Sequence, residues 1–243
     1  MKRFGLIGYP LTHSFSKKYF SEKFEREGWK DHVYDLFPID TIQKLPEIIT
    51  SHKDLVGLNV TIPYKQQVIP FLHSTKLPPG VVACNCIKIE NGKLEGYNTD
   101  IAGFEKSFAH LLKPWHKNAL VLGNGGATIA VTYVLHKLGI EYNIVSRRLH
   151  AGSTLTYEQL NNDVIAKHTV IINTTPLGTY PDIESYPPLP YQFITEKHYL
   201  FDLVYNPATT VFLKKGEERG AMVKNGYDML GIQADESWKI WTR

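Results

Sequence analysis

Cysteine is nearly absent from this 243-residue chain: Cys84 and Cys86 are the whole thiol inventory. Two residues apart, they lie too close for an ordinary bridge within a strand and form a poor zinc signature alone, so the sequence predicts reduced, cytosolic thiols. Long apolar runs are missing as well. No stretch approaches the ~20 residues that span a bilayer, and "MKRFGLIGYP" lacks the apolar core of a signal peptide, so a soluble cytoplasmic protein with no membrane partner is expected. An excess of either charge is also lacking. The 27 Lys and Arg stand against 24 Asp and Glu, a formal net charge of +3. That surplus is too small and too evenly spread to indicate nucleic acid, though it suffices for a small anion. The ten histidines show no metal-ligand spacing, His13 reads as structural, and no G-x-S-x-G or comparable nucleophile motif occurs. There is no repeat, low-complexity tract or long flexible linker.

What is present is a chain that is 43% hydrophobic and 12% aromatic, enough for a sizeable core. Strand and helix patterns alternate almost from the first residue. "FGLIG" reads as a strand, "SKKYFSEKFEREG" as a helix with Tyr19, Phe20 and Phe24 on one face, and "HVYDLF" as a second strand. A helical stretch around "TIQKLPEIIT" follows, then a third strand over 55–62 and a short helix in "YKQQVIPFL". Asn91-Gly92 predicts a two-residue hairpin, hence an antiparallel piece. From Asp100, which stands in an N-cap position, the alternation resets and runs to a last helix, "YDMLGIQADESWKIW". The Pro-rich "YPPLPY" reads as a surface loop. Two resets predict an α/β fold of two open α/β domains, with a boundary near Asp100.

Gly123-Asn124-Gly125-Gly126-Ala127 follows the strand "ALVL" and opens a helix. Glycines there let a pyrophosphate reach the helix N-terminal amides, although a merely tight turn would use them too. An NAD site has an acidic residue about 20 positions on. Here the next strand ends in Ser146-Arg147-Arg148, which favours a 2′-phosphate, and so NADP, over a solvated basic turn. Thr174 and Thr175, after a later strand, are candidates to line the same crevice.

In the first half, Ser14 and Ser16 precede a helix, either as caps or as hydroxyls that hold a carboxylate. Asn59 and Thr61 share one strand face and point toward a ligand, unless the amide is satisfied within the sheet. Lys65 is a solvated lysine by spacing alone. Asn85 precedes a strand, and Asp100 is readable as a plain cap.

Together, "HSFS", "NVTIPYK", "GYNTD", "GNGGA", "NTTPLG", "DLVYNP" and "GYDMLGIQA" resemble the shikimate dehydrogenase family in order and spacing, from end to end. The resemblance implies a two-domain enzyme that reduces 3-dehydroshikimate to shikimate with NADPH, on the route to aromatic amino acids. Residues 1–100 and 226–243 would form the substrate-binding catalytic domain, and 101–225 a Rossmann-type NADP-binding domain. It implies Lys65 and Asp100 as the catalytic pair and Ser14 and Ser16 on the substrate carboxylate. Asn59, Thr61, Asn85 and Gln233 would bind ring hydroxyls, with Tyr205 also facing the substrate. Gly123, Gly125, Gly126 and Ala127 would take the pyrophosphate and Arg147 the 2′-phosphate, with Leu203 and Gly226 beside the nicotinamide. The partner would be a small molecule, and the protein a monomer or homodimer. Three positions depart. Cys86 stands where the family has threonine, Thr179 where methionine is common, and "SRR" followed by "LHAG" replaces N-R-T with a further arginine. Arg148 would supply the missing cation. A quinate/shikimate dehydrogenase using NAD, or a ligand-sensing relative without the chemistry, are the alternatives.

Overall fold

A computed structural model describes residues 1–11, 14–149 and 152–243; His13 lies outside them. The chain divides into two units, Met1–Gly103 with Leu230–Arg243, and Phe104–Met229.

In the first unit, β1 (Lys2–Gly8), α1 (Phe15–Arg26), β2 (His32–Pro38), α2 (Leu45–Ser51) and β3 (Leu55–Val60) alternate. Two-residue β4 (Ser74–Thr75) and the hairpin β5 (Cys86–Glu90) and β6 (Lys93–Tyr97) complete a sheet of order β2-β1-β3-β5-β6-β4. Strands β2 and β3 run parallel to β1, and β5 antiparallel to β3. The hairpin forms where Asn91-Gly92 predicts it, with both residues at positive φ (51° and 74°). One face of the sheet carries Phe4, Phe20, Phe24, Tyr34 and Cys86 with Ala234, Ile240 and Trp241 from the chain's end. The other carries Ile7, Leu58, Tyr64, Val68 and Cys84. The thiols therefore sit in different clusters, and burial pushes the Cys84 thiol up to about 11. Gly57 allows the close approach of Trp241: a Cβ there would lie 2.4 Å from the indole ring, whose Nε1 donates to the Ile87 carbonyl at 2.9 Å.

Three expectations differ. The third strand ends at Val60, not Ile62, and Ile62 is exposed, because Pro63 has no N–H to extend the ladder. "YKQQVIPFL" forms turns and one 3₁₀ turn, Ile69–Phe71, rather than an α-helix. Asp100 does not cap α3 (Asp100–Phe108): Asn98 Oδ1 accepts the Ile101 N–H at 3.1 Å instead, which frees the carboxylate.

The second unit holds β7 (Asn118–Leu122), α4 (Gly126–Lys137), β8 (Glu141–Ser146), β9 (Leu155–Thr156), α5 (Asn162–Lys167), β10 (Val170–Asn173), β11 (Tyr199–Asp202), α6 (Val211–Glu217) and β12 (Met222–Asn225). All strands are parallel in the order β12-β11-β10-β7-β8-β9. The central strands β10 and β11 are buried throughout, as parallel strands covered on both faces must be. The last helix, α7 (Tyr227–Trp241), contributes its later turns to the first unit. Among the described residues no helix is long and apolar enough to cross a membrane.

Candidate active site

Ligands of open α/β sheets bind beyond the carboxyl ends of the strands, where the winding reverses. In the first unit that point lies at β1 and β3. Past β1, Ser14 is extended and its hydroxyl oxygen accepts the Lys17 N–H at 3.2 Å; it is the cap of α1, and its own proton stays available to an anion. Ser16, two residues further on, stands near the Tyr34 hydroxyl; burial drives the pKa of that hydroxyl well up, and Ser16 opposes the rise.

Past β3, the turn at Pro63 carries Lys65 toward α3. Lys65 Nζ donates to Asp100 Oδ2 at 2.6 Å, with side-chain exposures of only 16% and 8%. The other carboxylate oxygen accepts from Asn85 Nδ2 at 2.9 Å. A carboxylate held at both oxygens keeps its orientation, and a half-buried ammonium beside it retains protons for a ligand. Asn85 also donates to Thr99 Oγ1 at 3.0 Å and accepts the Thr99 N–H at 2.6 Å, so both of its amide hydrogens are engaged. From Thr99 the polar contacts continue to Gln233 Oε1 (3.4 Å) and Ser237 Oγ (3.2 Å) on α7.

The Asn59 amide is satisfied within the fold. It is 3% exposed; its Nδ2 donates to Ser237 Oγ at 2.9 Å and to the Asn85 carbonyl at 3.3 Å, and its Oδ1 accepts from Tyr34 at 2.8 Å. Its amide is therefore a brace between strand and helix. Thr61, half-buried, pairs its N–H with the Ile7 carbonyl at 3.0 Å. Lys65, Asp100, Asn85, Asn59 and Gln233 are thus brought into one polar chain that extends to Tyr34. Tyr34, Thr99 and Ser237 complete that chain and were not singled out from the sequence. The one signal for Ser237 was its place four residues after Gln233, on the same helix face.

In the second unit the winding reverses between β7 and β10. Gly123, at φ 103°, makes the turn, and a Cβ there would lie 2.9 Å from Thr175 and 3.0 Å from Thr174. Gly125 is the N-cap of α4 and has no side-chain cap bond. A Cβ on Gly125 would find nothing within 4 Å, so open space stands over the helix N-terminus, with Gly126 and Ala127 as its first residues. Thr174 is engaged in holding this loop. Its hydroxyl donates to the Leu122 carbonyl at 2.7 Å and lies 2.8 Å from Thr128 Oγ1. Ser146 is likewise engaged, donating to the Arg148 carbonyl at 2.5 Å and closing the turn that leaves Arg147 and Arg148 exposed.

The ends of β10, β11 and β12 are tied together. Asp202 accepts from Asn173 Nδ2 (2.9 Å), Thr210 Oγ1 (2.6 Å) and the Val204 N–H (3.0 Å), while burial pushes its carboxyl up to about 6. Gly226 follows β12 so closely against Leu203 that a Cβ would lie 2.4 Å from the Leu203 carbonyl oxygen. Tyr205 is half-buried, and burial raises its hydroxyl pKa.

A parallel sheet wound both ways from a glycine turn, joined in one chain to a unit with an ammonium–carboxylate pair, defines a nucleotide-dependent α/β oxidoreductase. Residues 6–87 match the shikimate dehydrogenase substrate binding domain. The chain is 34% identical to the shikimate dehydrogenase (NADP(+)) of Methanococcus vannielii, over 98% of this chain and 90% of that protein. It is also similar to shikimate 5-dehydrogenase of Thermus thermophilus, solved with NADP(H) and shikimate: TM-score 0.86, 28% identity, 100% of this chain and 94% of the other. A Listeria monocytogenes shikimate 5-dehydrogenase solved with shikimate and NAD gives TM-score 0.86 at 25% identity, covering 100% and 92%. The chain belongs to the shikimate dehydrogenase family.

Proposed function

We propose that this protein is an NADP-dependent shikimate dehydrogenase, reducing 3-dehydroshikimate to shikimate reversibly in the pathway to chorismate and the aromatic amino acids. The carrying observation is the Lys65–Asp100 pair, fixed by Asn85 at the carboxyl end of β3, in a chain that matches NADP-dependent relatives along nearly its whole length. The residues present suit the dinucleotide. Gly125 leaves open space over an uncapped twelve-residue helix, and two exposed arginines follow β8 with no acid beside them. Gly123, Gly125, Gly126 and Ala127 would hold the pyrophosphate, Arg147 and Arg148 the 2′-phosphate, and Leu203 and Gly226 would line the nicotinamide end.

When bound, NADPH supplies the hydride that turns the substrate ketone into an alcohol. The chain's own part is to place the ketone and move a proton. Ser14 and Ser16 receive the substrate carboxylate at the α1 N-terminus, while Thr61, Gln233 and the side-chain oxygen of Asn85 receive its hydroxyls. Lys65 donates one N–H hydrogen bond to Asp100 and directs its other N–H groups to the oxygen on which negative charge develops, stabilising and then protonating it. In the oxidising direction the neutral amine takes the proton back. Asp100 keeps the amine in place. On this reading the protein is a cytoplasmic enzyme that acts on a small molecule, with neither nucleic acid nor membrane as partner.

The test is the absorbance of reduced nicotinamide with purified protein, shikimate or quinate, and NADP⁺ or NAD⁺, in all four combinations. A shikimate–NADP⁺ signal well above the rest supports the reading. A dominant quinate–NAD⁺ signal replaces it with a quinate/shikimate dehydrogenase, and silence in all four with a ligand-binding protein.

A further inference from the structure

Ser237 is a fully buried hydroxyl on α7 that carries no role in the mechanism above. A serine hydroxyl has one proton and two lone pairs, and here all three are spoken for. The proton goes to the Gln233 carbonyl one turn back, at 2.9 Å. One lone pair accepts from Asn59 Nδ2 at 2.9 Å. The other faces Thr99 Oγ1 at 3.2 Å.

Thr99 has a choice to make. Its oxygen accepts from Asn85 Nδ2 at 3.0 Å, so it has one proton to give and three acceptors in range. These are Ser237 Oγ at 3.2 Å, Asn85 Oδ1 at 3.3 Å and Gln233 Oε1 at 3.4 Å. Asn85 Oδ1 already receives the Thr99 N–H at 2.6 Å. Ser237 is the nearest acceptor, and Thr99 fills its last vacancy. Gln233 Nε2 is anchored to the Leu230 carbonyl at 3.1 Å, so the fate of Gln233 Oε1 depends on where the Thr99 proton points.

We propose that Ser237 is a positioning residue that captures the Thr99 proton and so leaves the side-chain carbonyl of Gln233 free to accept from a substrate hydroxyl. The proposal rests on the reading of the protein as a shikimate dehydrogenase. Without the Ser237 oxygen, the Thr99 proton turns to the two acceptors that remain, Asn85 Oδ1 at 3.3 Å and Gln233 Oε1 at 3.4 Å, and competes there with the substrate hydroxyls. Thr99, Asn85, Asn59 and Gln233 are all at least nine-tenths buried, and water cannot readily supply a substitute acceptor. The loss corresponds to about one neutral hydrogen bond, a fivefold to tenfold rise in KM for shikimate.

The experiment is steady-state kinetics at fixed pH for the full chain, Ser237→Ala, Thr99→Val and the double variant, with melting temperatures alongside. The expected result is a fivefold to tenfold higher KM for shikimate in Ser237→Ala, with KM for NADP⁺ within about twofold. In the Thr99→Val background, which has no hydroxyl proton to redirect, Ser237→Ala leaves KM for shikimate unchanged. A merely structural hydroxyl would lower the melting temperature and leave KM alone; that result, or an equal KM rise in both backgrounds, overturns the proposal. Should Ser237→Ala fail to fold, Ser237→Cys, with its weaker acceptor, is read in the same way. An unmodified protein without shikimate–NADP⁺ activity would defeat the functional reading itself, and this proposal with it. An active one whose KM ignores Ser237 defeats this proposal alone.

Discussion

The side-chain amide of Asn173 donates to the carboxylate of Asp202 across 2.9 Å, linking the last residues of neighbouring strands β10 and β11. Burial is the largest influence on this carboxyl and lifts it to about 6, against the pull of Thr210, Val204 and Asn173. A raised carboxyl contributes stability that is full below its unfolded pKa of about 4 and fades as pH rises through the folded value. The Asp202 contribution therefore shrinks between about pH 4 and 6, by an amount on the order of 2–3 kcal/mol. Asp202→Asn does not titrate, so the stability gap between the two proteins should change across that window. Denaturant melts of both at several pH values measure this; a gap that stays constant would show that Asp202 does not titrate there.

Lys65→Ala should reduce kcat by roughly 10²- to 10⁴-fold, the range of a lost general acid, with KM for shikimate changed only a few-fold. Single-turnover rates with saturating substrate provide the check. A kcat within a few-fold of the unmodified protein would remove Lys65 from the chemistry.

Two glycines of the second unit should separate stability from cofactor binding. Gly125→Ala meets open space and an ordinary φ of −77°, so its melting temperature should stay within a degree or two while KM for NADP⁺ rises about tenfold. Gly226→Ala drives a methyl to 2.4 Å from a backbone oxygen that cannot step aside, so it should lose about 1–3 kcal/mol of stability. Thermal melts and cofactor titrations on both variants decide; equal melting losses would contradict the geometry.

Arg147 and Arg148 are exposed side chains at the end of β8. Replacing both with alanine should leave stability nearly unchanged and lower the preference for NADP⁺ over NAD⁺ by about 10- to 100-fold, the value of one or two charge-assisted phosphate contacts. The ratio of kcat/KM for the two cofactors is the readout. An unaltered ratio would place 2′-phosphate recognition elsewhere.

Much of the fold was legible because its signals are local. Asn91-Gly92 demands positive φ, and the hairpin formed there; the glycine turn at 123 lies between a strand and a helix as its spacing requires. Local signals failed where a neighbour could do the same job. Asp100 has the look of a helix cap, but Asn98 accepts the cap bond. "YKQQVIPFL" has helical spacing, but Pro63 and Pro70 leave room only for turns.

The site was partly legible for the same reason. Lys65 and Asp100 are 35 residues apart, and no spacing rule joins them; only the sheet does. Asn59 sits on the expected strand, yet its amide hydrogens go to Ser237 and Asn85, partners 178 and 26 residues away. Tyr34 and Ser237 were invisible because a buried hydroxyl and an ordinary core residue look alike until the partners are placed. Cys84 and Cys86, a close pair in sequence, pack into separate clusters, one with Leu58 and one with Phe4.

The indole of Trp241 seated on Gly57 has a bearing on how the chain is made. The first unit draws its closing residues from the far end of the sequence, whereas the second is one uninterrupted segment. As the chain leaves the ribosome, Phe4, Phe20 and Phe24 must wait for Ala234, Ile240 and Trp241, with the whole of Phe104–Met229 emerging in between. The later-synthesised unit can therefore be the first to finish its core, and the half that begins the chain is the half that closes last.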